Sequence, residues 1–230
     1  MPLIEFDGVG HTYTVSGVER VVLRDVTLRL TEQRVGVIGA NGSGKSTFAR
    51  MLNALVVPTE GAVRIDGRDT SREARAVRRR VGFCFTDPDA QIVMPTVAED
   101  VAFSLRRRGL DKREVSARVD RVLAGYGLAG HRDHPAHLLS GGQKQLLALA
   151  SVLVTEPDLV VMDEPTTLLD LVNTRRVREV IRGLDQQVVL VTHDLDLLGD
   201  FDRVLVFHEA RLCFDGAPGE AVAAYRRLVS

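Results

Sequence analysis

Short β-branched runs alternate with stretches of helical spacing along most of the chain. Val35-Gly36-Val37-Ile38 is an apolar run followed by a glycine-rich turn, and Lys45 to Ala54 then reads as a helix. Val63-Arg64-Ile65, Val81-Gly82-Phe83-Cys84-Phe85, Leu159-Val160-Val161-Met162 and Val188-Val189-Leu190-Val191 are further strand candidates. Near-continuous apolar runs of this length suit strands covered on both faces, which predicts a parallel sheet in an α/β core. The first thirty residues differ. Ile4 to Phe6 and Val21 to Leu30 alternate, with turn residues between them, and predict an antiparallel sheet packed beside that core.

From about Pro95 to Val154 the pattern turns almost entirely helical. Thr96-Val-Ala-Glu99 has the form of a capping box ahead of an apolar run. Asp111-Lys-Arg-Glu114 opens a second helix, which carries Val115, Val119, Val122 and Leu123 on one face and ends at Gly125 and Gly127. The expected organisation is one domain over residues 1–230, with a core of 1–87 and 156–230 and a helical lobe of about 88–155 inserted into it.

Composition adds limits. A chain of 230 residues with net charge −1 and 45% hydrophobic residues suits an ordinary soluble globular protein. A chain of this size buries roughly 70% of its unfolded surface, so it needs no disulfide staples. Cys84 and Cys213 each sit in an apolar run and read as small buried hydrophobes in a reduced compartment. No run approaches the roughly 20 apolar residues that span a bilayer, and the N-terminus lacks a signal pattern, so a cytosolic start is expected. The near-zero net charge argues against nucleic-acid binding as the main task. The arginine-rich stretches Arg72 to Arg80 and Arg106 to Arg108 read as solvated helix faces, the second with a minor reading as a docking surface for a membrane partner.

The chemistry lies in four places. Gly39-Ala-Asn41-Gly42-Ser43-Gly44-Lys45-Ser46-Thr47 fits G-x-x-x-x-G-K-[ST] between a predicted strand and a predicted helix. Glycines let successive backbone N–H groups turn inward toward phosphate oxygens, and the helix N-terminus adds partial positive charge there. Lys45 can reach the β and γ phosphates of a nucleotide, and the Ser46 hydroxyl can ligate Mg²⁺. A plain helix-capping turn would explain the glycines but not the Lys-Ser pair. Leu159 to Glu164 is an apolar strand ending in two carboxylates, at the strand end where ligands sit in parallel sheets. Asp163 is placed to hold Mg²⁺ through its water shell, and Glu164 to activate water on the γ-phosphate. Ser140-Gly141-Gly142-Gln143 is a capping box ahead of an apolar helix and could also form a second phosphate-binding helix start, which suggests a sandwich of two copies. His193 ends another strand, where an imidazole can hydrogen-bond the γ-phosphate and orient water.

Taken in order, the P-loop, Leu139-Ser140-Gly141-Gly142-Gln143, the acidic strand end, Asp170 and His193 resemble the ABC ATPases over essentially the whole chain. The resemblance implies a P-loop NTPase of the ABC-ATPase fold in the α/β class, with a mixed-sheet core, an N-terminal antiparallel β-subdomain and an inserted helical lobe. It implies binding of ATP and Mg²⁺ and head-to-tail pairing with a second ABC ATPase domain, either another copy or a paralogue. By similarity Tyr13 stacks on adenine, residues 39–47 cradle the phosphates, and Ser140, Gly141, Gly142 and Gln143 face the γ-phosphate across the dimer. Glu164 matches the general base, His193 the switch residue and Asp170 the aspartate that couples the two sites. Thr86 departs from the pattern, because the family usually has glutamine there to help ligate Mg²⁺ and sense the membrane partner; Gln91 lies too far along to replace it.

The stretch from Thr86 to Phe103 is similar to the segment of energy-coupling-factor (ECF) ATPases that borders a groove for a transmembrane coupling helix. Phe201 to Glu209 and the C-terminal helix look most like the ATPase of the biotin module. The resemblance therefore implies uptake of a vitamin or transition metal, biotin first and then cobalt or nickel. It also implies a transmembrane coupling subunit, a substrate-binding membrane subunit and a peripheral position on the cytoplasmic face of the inner membrane. An ATPase of another importer, or of iron–sulfur cluster assembly, is the competing reading. DNA-organising relatives would need sustained heptads between Lys45 and Leu139, and zinc-bearing repair relatives would need paired cysteines; neither is present. Glu164 and His193 argue against a binder that never hydrolyses.

Overall fold

The computed structural model describes residues 1–106 and 108–229; Arg107, within the second arginine stretch, lies outside them. In chain order the elements are β1 (Ile4–Val15), β2 (Val18–Leu30), β3 (Arg34–Gly39), α1 (Lys45–Leu52), β4 (Glu60–Ile65), β5 (Arg68–Asp69), α2 (Ala74–Arg80) and β6 (Val81–Cys84). There follow α3 (Val97–Ser104), α4 (Lys112–Gly125), α5 (Gly141–Leu153), β7 (Leu159–Asp163), α6 (Leu171–Arg182), β8 (Gln187–Val191), β9 (Arg203–His208), β10 (Arg211–Gly216) and α7 (Pro218–Val229). The chain forms two compact units, residues 1–83 with 158–164 and 185–230, and residues 84–157 with 165–184.

In the first unit, a four-stranded sheet has the order β2-β1-β4-β5 and is antiparallel at each pair. A six-stranded sheet has the order β10-β9-β3-β8-β7-β6, with β9, β3, β8 and β7 parallel and β10 antiparallel to β9. The α/β class and the separate antiparallel sheet are what the residue pattern predicted; the pattern suggested a parallel core sheet, and the mixed order, with β10 antiparallel to β9, is what the family resemblance implied. Every residue of β7 and β8 is buried, as strands covered on both faces require. Helix α1 ties the layers together: Phe48 stacks on Phe6 of β1 at 4.5 Å and meets Phe207 of β9 at 5.1 Å. All three rings are essentially free of solvent, and truncation of such a phenylalanine to alanine costs about 3–5 kcal/mol.

Three local features differ from the expectations. Strands β1 and β2 run on to a two-residue hairpin turn at Ser16 and Gly17, both with positive φ. That geometry matches the right-handed strand twist; its flanking Val15 and Val18 are exposed, so the burial alternation that marks a strand is missing there. Cys213 is exposed rather than buried, because β10 is an edge strand that turns Leu212 and Phe214 inward and Cys213 outward. The arginines of α2 are braces as well as a solvated face. Arg78 donates to the Asn53 and Ala54 carbonyls, and Arg80 pairs with Asp66 and Asp158.

The second unit is helical, and α3, α4 and α5 each start with a complete capping box, from Thr96 and Glu99, Asp111 and Glu114, and Ser140 and Gln143. On α4, Val119 and Leu123 are buried while Val115 and Val122 are half-buried. Asp100 is a buried carboxylate with every role filled: it accepts from the Val93 and Met94 backbone N–H groups and from Ser151 Oγ. It thereby pins the segment before α3 to α5. No helix among the described residues is long and apolar enough to cross a membrane.

Candidate active site

Strand β3 delivers the chain to Gly39, and α1 starts at Lys45 with Gly44 as its N-cap in left-handed conformation (φ 104°). A Cβ at Gly44 would collide with the Val22 carbonyl oxygen, so only glycine lets the loop close against β2. The loop it closes is the one, residues 39–47, expected to cradle phosphates. Lys45 is buried, and its Nζ donates to the Gly39 and Ala40 carbonyls at 2.9 and 3.0 Å. Burial pulls the ammonium below its usual range, while Glu164 and Asp163 push it back up. Ser43 Oγ is buried without a hydrogen-bond partner. A cradle with an unsatisfied hydroxyl and a buried ammonium at a helix start has the donors a polyphosphate needs.

Five side chains form two sets of contacts beside this loop. Ser46 Oγ donates to Asp163 Oδ1 at 2.9 Å, and Arg50 lies 3.6 Å from Asp163 Oδ2. Asp163 ends β7 with 2% of its side chain exposed. Burial raises its carboxyl above the usual range, against the pull of Ser46, Arg50 and Lys45. Arg50 was not singled out from the sequence, although it follows Ser46 by one helical turn and so shares its face. Glu164 follows with φ 52°, a conformation rare for a side chain of this kind, and its N–H is held by the Val191 carbonyl. That kink turns the second carboxylate away from the strand line and toward His193, whose Nδ1 lies 3.1 Å from Glu164 Oε2. A carboxylate only accepts, so His193 carries a proton on Nδ1 and donates it to Glu164.

A cleft of about 360 Å³ lies over this loop, lined by Tyr13, Arg20, Val22, the glycine loop and Glu164. Tyr13 is on the hairpin at its edge and is partly exposed. The His11 ring meets it edge-on at 4.5 Å. His11 is buried with both ring nitrogens lacking hydrogen-bond partners, and burial lowers its pKa. Arg20 pairs across the hairpin with Tyr13. Neither His11 nor Arg20 stood out in the sequence, since each is one polar residue in a strand.

The remaining predicted residues lie in the second unit. Ser140 Oγ accepts from the Gln143 N–H, and Gln143 Oε1 accepts from the Ser140 N–H. Gly142 packs so closely on α6 that a Cβ there would collide with the Asn173 side chain. Asp170 caps α6, accepting from the backbone and side-chain N–H groups of Asn173. Thr86 is half-buried just after β6. Gln91 is committed to the fold: its amide bonds the Phe85 N–H and the Ala148 carbonyl.

The sequence model described as "ABC transporter" matches residues 23–167. This chain belongs to the ABC transporter family. A putative ABC transporter ATP-binding protein of Deinococcus radiodurans is 56% identical over 228 residues, 99% of each chain. The biotin transport ATP-binding protein BioM of Rhizobium etli is 49% identical over 227 residues, again 99% of each. The energy-coupling factor transporter ATP-binding protein EcfA1 of Symbiobacterium thermophilum is 41% identical, with 99% of this chain and 83% of that one covered. Among solved structures, CbiO1 from Clostridium perfringens, part of the ABC transporter complex CbiONQ, matches with TM-score 0.83 at 30% identity, over 98% of this chain and 92% of that one. The ATP-binding cassette MJ0796, solved as a dimer in a post-hydrolysis state with ADP and Pi, matches with TM-score 0.83 at 28% identity, over 94% and 98%. The ABC protein described here is an ATPase with the ABC-ATPase fold, and ATP is its substrate.

Proposed function

We propose that this ATPase is the motor subunit of an ECF-type importer, for a vitamin or transition metal, with biotin as the first candidate and cobalt or nickel next. The observation that carries the hydrolytic part is the meeting of Ser46, Asp163, Glu164 and His193 beside the buried Lys45 ammonium. Full-length likeness to proteins named for biotin and ECF transport supports the branch.

In this reading the N–H groups of residues 39–47 and Lys45 hold the triphosphate, with Tyr13 against the base. Ser140, Gly141, Gly142 and Gln143 of a second ATPase domain meet the γ-phosphate, so ATP closes the pair by adding contacts that exist only in the closed state. Glu164 orients the attacking water and takes its proton, and His193 holds Glu164 in place through its Nδ1–H and, with Nε2 protonated as well, donates to the γ-phosphate. ATP and water become ADP and phosphate, whose departure reopens the pair. One carboxylate and one hydroxyl suit Mg²⁺, which keeps most of its waters; Ser46 and Asp163 would hold it, and it supplies charge neutralisation along the phosphates. Asp170 would couple the two sites. A transmembrane subunit on another polypeptide would receive the motion, with a membrane subunit selecting the solute and the ATPase peripheral on the cytoplasmic face. The proposed division of labour is a nucleotide-binding core of 1–87 and 156–230 and a coupling lobe of about 88–155.

Co-purification from membranes tests the assignment. The expected result is an ATPase pair bound to a coupling subunit and a biotin-binding membrane subunit. Recovery with soluble iron–sulfur scaffold proteins would overturn it. Thr86 gives a second test, because Ser46, Glu164 and His193 suffice for hydrolysis in this reading. A complex that is inert as isolated and gains ATPase activity on Thr86→Gln would contradict it.

A further inference from the structure

Beyond the capping box, Gln143 makes one more hydrogen bond, and it points away from Ser140. Its Nε2 lies 2.9 Å from His131 Nε2, and His131 Nδ1 lies 2.8 Å from His134 Nδ1. A side-chain amide nitrogen only donates, so His131 Nε2 is the acceptor and its proton sits on Nδ1, donated to His134. The other end of the amide, Gln143 Oε1, accepts from the Ser140 N–H at 2.9 Å. Turned over, the amide would oppose its NH₂ to the Ser140 N–H and its oxygen to the His131 lone pair, and both contacts would become repulsive. The Ser140 N–H, an obligate donor, sets which way the amide faces, and the lone pair on His131 Nε2 holds its other end.

We propose that His131 is a positioning residue for the signature serine: by accepting from Gln143 it locks the amide that closes the cap on Ser140. His134 completes the chain by accepting the His131 proton, which keeps Nε2 free as an acceptor. Two histidines outside the nucleotide site would thus act through Gln143 on the backbone of Ser140. The inference rests on the reading that Ser140 meets a γ-phosphate, and its tests separate the two.

The first test is spectroscopic and needs no nucleotide. In ¹⁵N–¹H spectra of the intact chain, His131 is expected in the Nδ1–H form; an Nε2–H form overturns the proposal. The second compares His131→Leu, which has no acceptor, with His131→Gln, which restores one. Hydrogen exchange at the Ser140 N–H should rise about fivefold in the leucine variant, the worth of one net hydrogen bond, and return in the glutamine variant. The same pair should show a several-fold fall and recovery in kcat with the single-chain affinity for ATP unchanged. Unaltered exchange in His131→Leu refutes the positioning role. If exchange responds as expected but Ser140→Ala hydrolyses ATP at the wild-type rate, the positioning stands and the γ-phosphate reading falls. Should His131→Leu fail to fold, the tautomer of the native chain still decides.

Discussion

His193 Nδ1 reaches Glu164 Oε2 at 3.1 Å from the end of the neighbouring parallel strand. The contact exists because Glu164 takes a left-handed backbone and leaves the line of β7. An imidazole that donates to a carboxylate fixes the direction of its free lone pairs, which general-base work on a bound water requires.

The exchange Glu164→Gln keeps the shape of that pair and removes the proposed base. It is expected to bind ATP normally, to accumulate as a closed dimer, and to lose about 10²–10⁴-fold in kcat. His193→Ala should lose activity with little change in ATP affinity. Phosphate release and equilibrium ATP binding on the same preparations check both. A Glu164→Gln protein that stays monomeric with ATP in the assembled complex would remove the two-copy sandwich.

Lys45→Ala removes a buried cation from a cradle of backbone donors. The Gly39 and Ala40 carbonyls lose their partner, and in the proposed binding mode the phosphates lose a positive charge. Nucleotide affinity should fall by at least about tenfold, as expected for a charged hydrogen bond in a buried site. Calorimetric titration with ATP measures it, and uptake by the intact complex should stop.

Gly142→Ala drives a methyl group into Asn173. The variant should lose a few degrees in Tm and most of its ATPase activity. Adding Asn173→Ala should recover the Tm, because the collision is between these two residues and their effects are coupled. Failure of the second substitution to recover stability would show that the close approach is not what demands glycine.

Arg203 joins three segments. It pairs with Glu32 and Asp215 and donates to the Arg29 carbonyl. Burial pushes the Glu32 carboxyl up, but the Thr31 N–H and Arg203 outweigh it and bring the group below its ordinary range. The native state therefore binds fewer protons than the unfolded chain in mild acid. The stabilisation is complete above the ordinary glutamate range and fades as pH falls through the lowered one. Arg203→Met should lower Tm by about 2–6 °C at pH 7, and the gap to wild type should narrow toward pH 3. Thermal melts across that range check the sign; a gap that widens in acid would be the wrong sign.

Much of the architecture and the chemistry is written locally. The glycine loop, the two carboxylates after β7, the histidine after β8 and the caps of α3, α4 and α5 depend on residues within a few positions of one another. Spacing alone discloses them, and the apolar runs of β3, β7 and β8 announce a sheet covered on both faces. The Val15–Val18 hairpin was not legible, because its flanking valines face solvent and carry no burial pattern.

What needed the folded chain is whatever depends on partners far apart in sequence. Ser46 and Asp163 are brought together across 117 residues; His131 finds Gln143, and Asn173 presses on Gly142. The outward turn of Cys213 follows from its place on an edge strand. Residues 165–184 belong to the helical unit, where α6 carries the buried Val177 and Ile181. Local spacing determines which groups a segment can present. Only the packing of distant segments decides which of them meet, and the partners so met decide which way an amide or an imidazole must face.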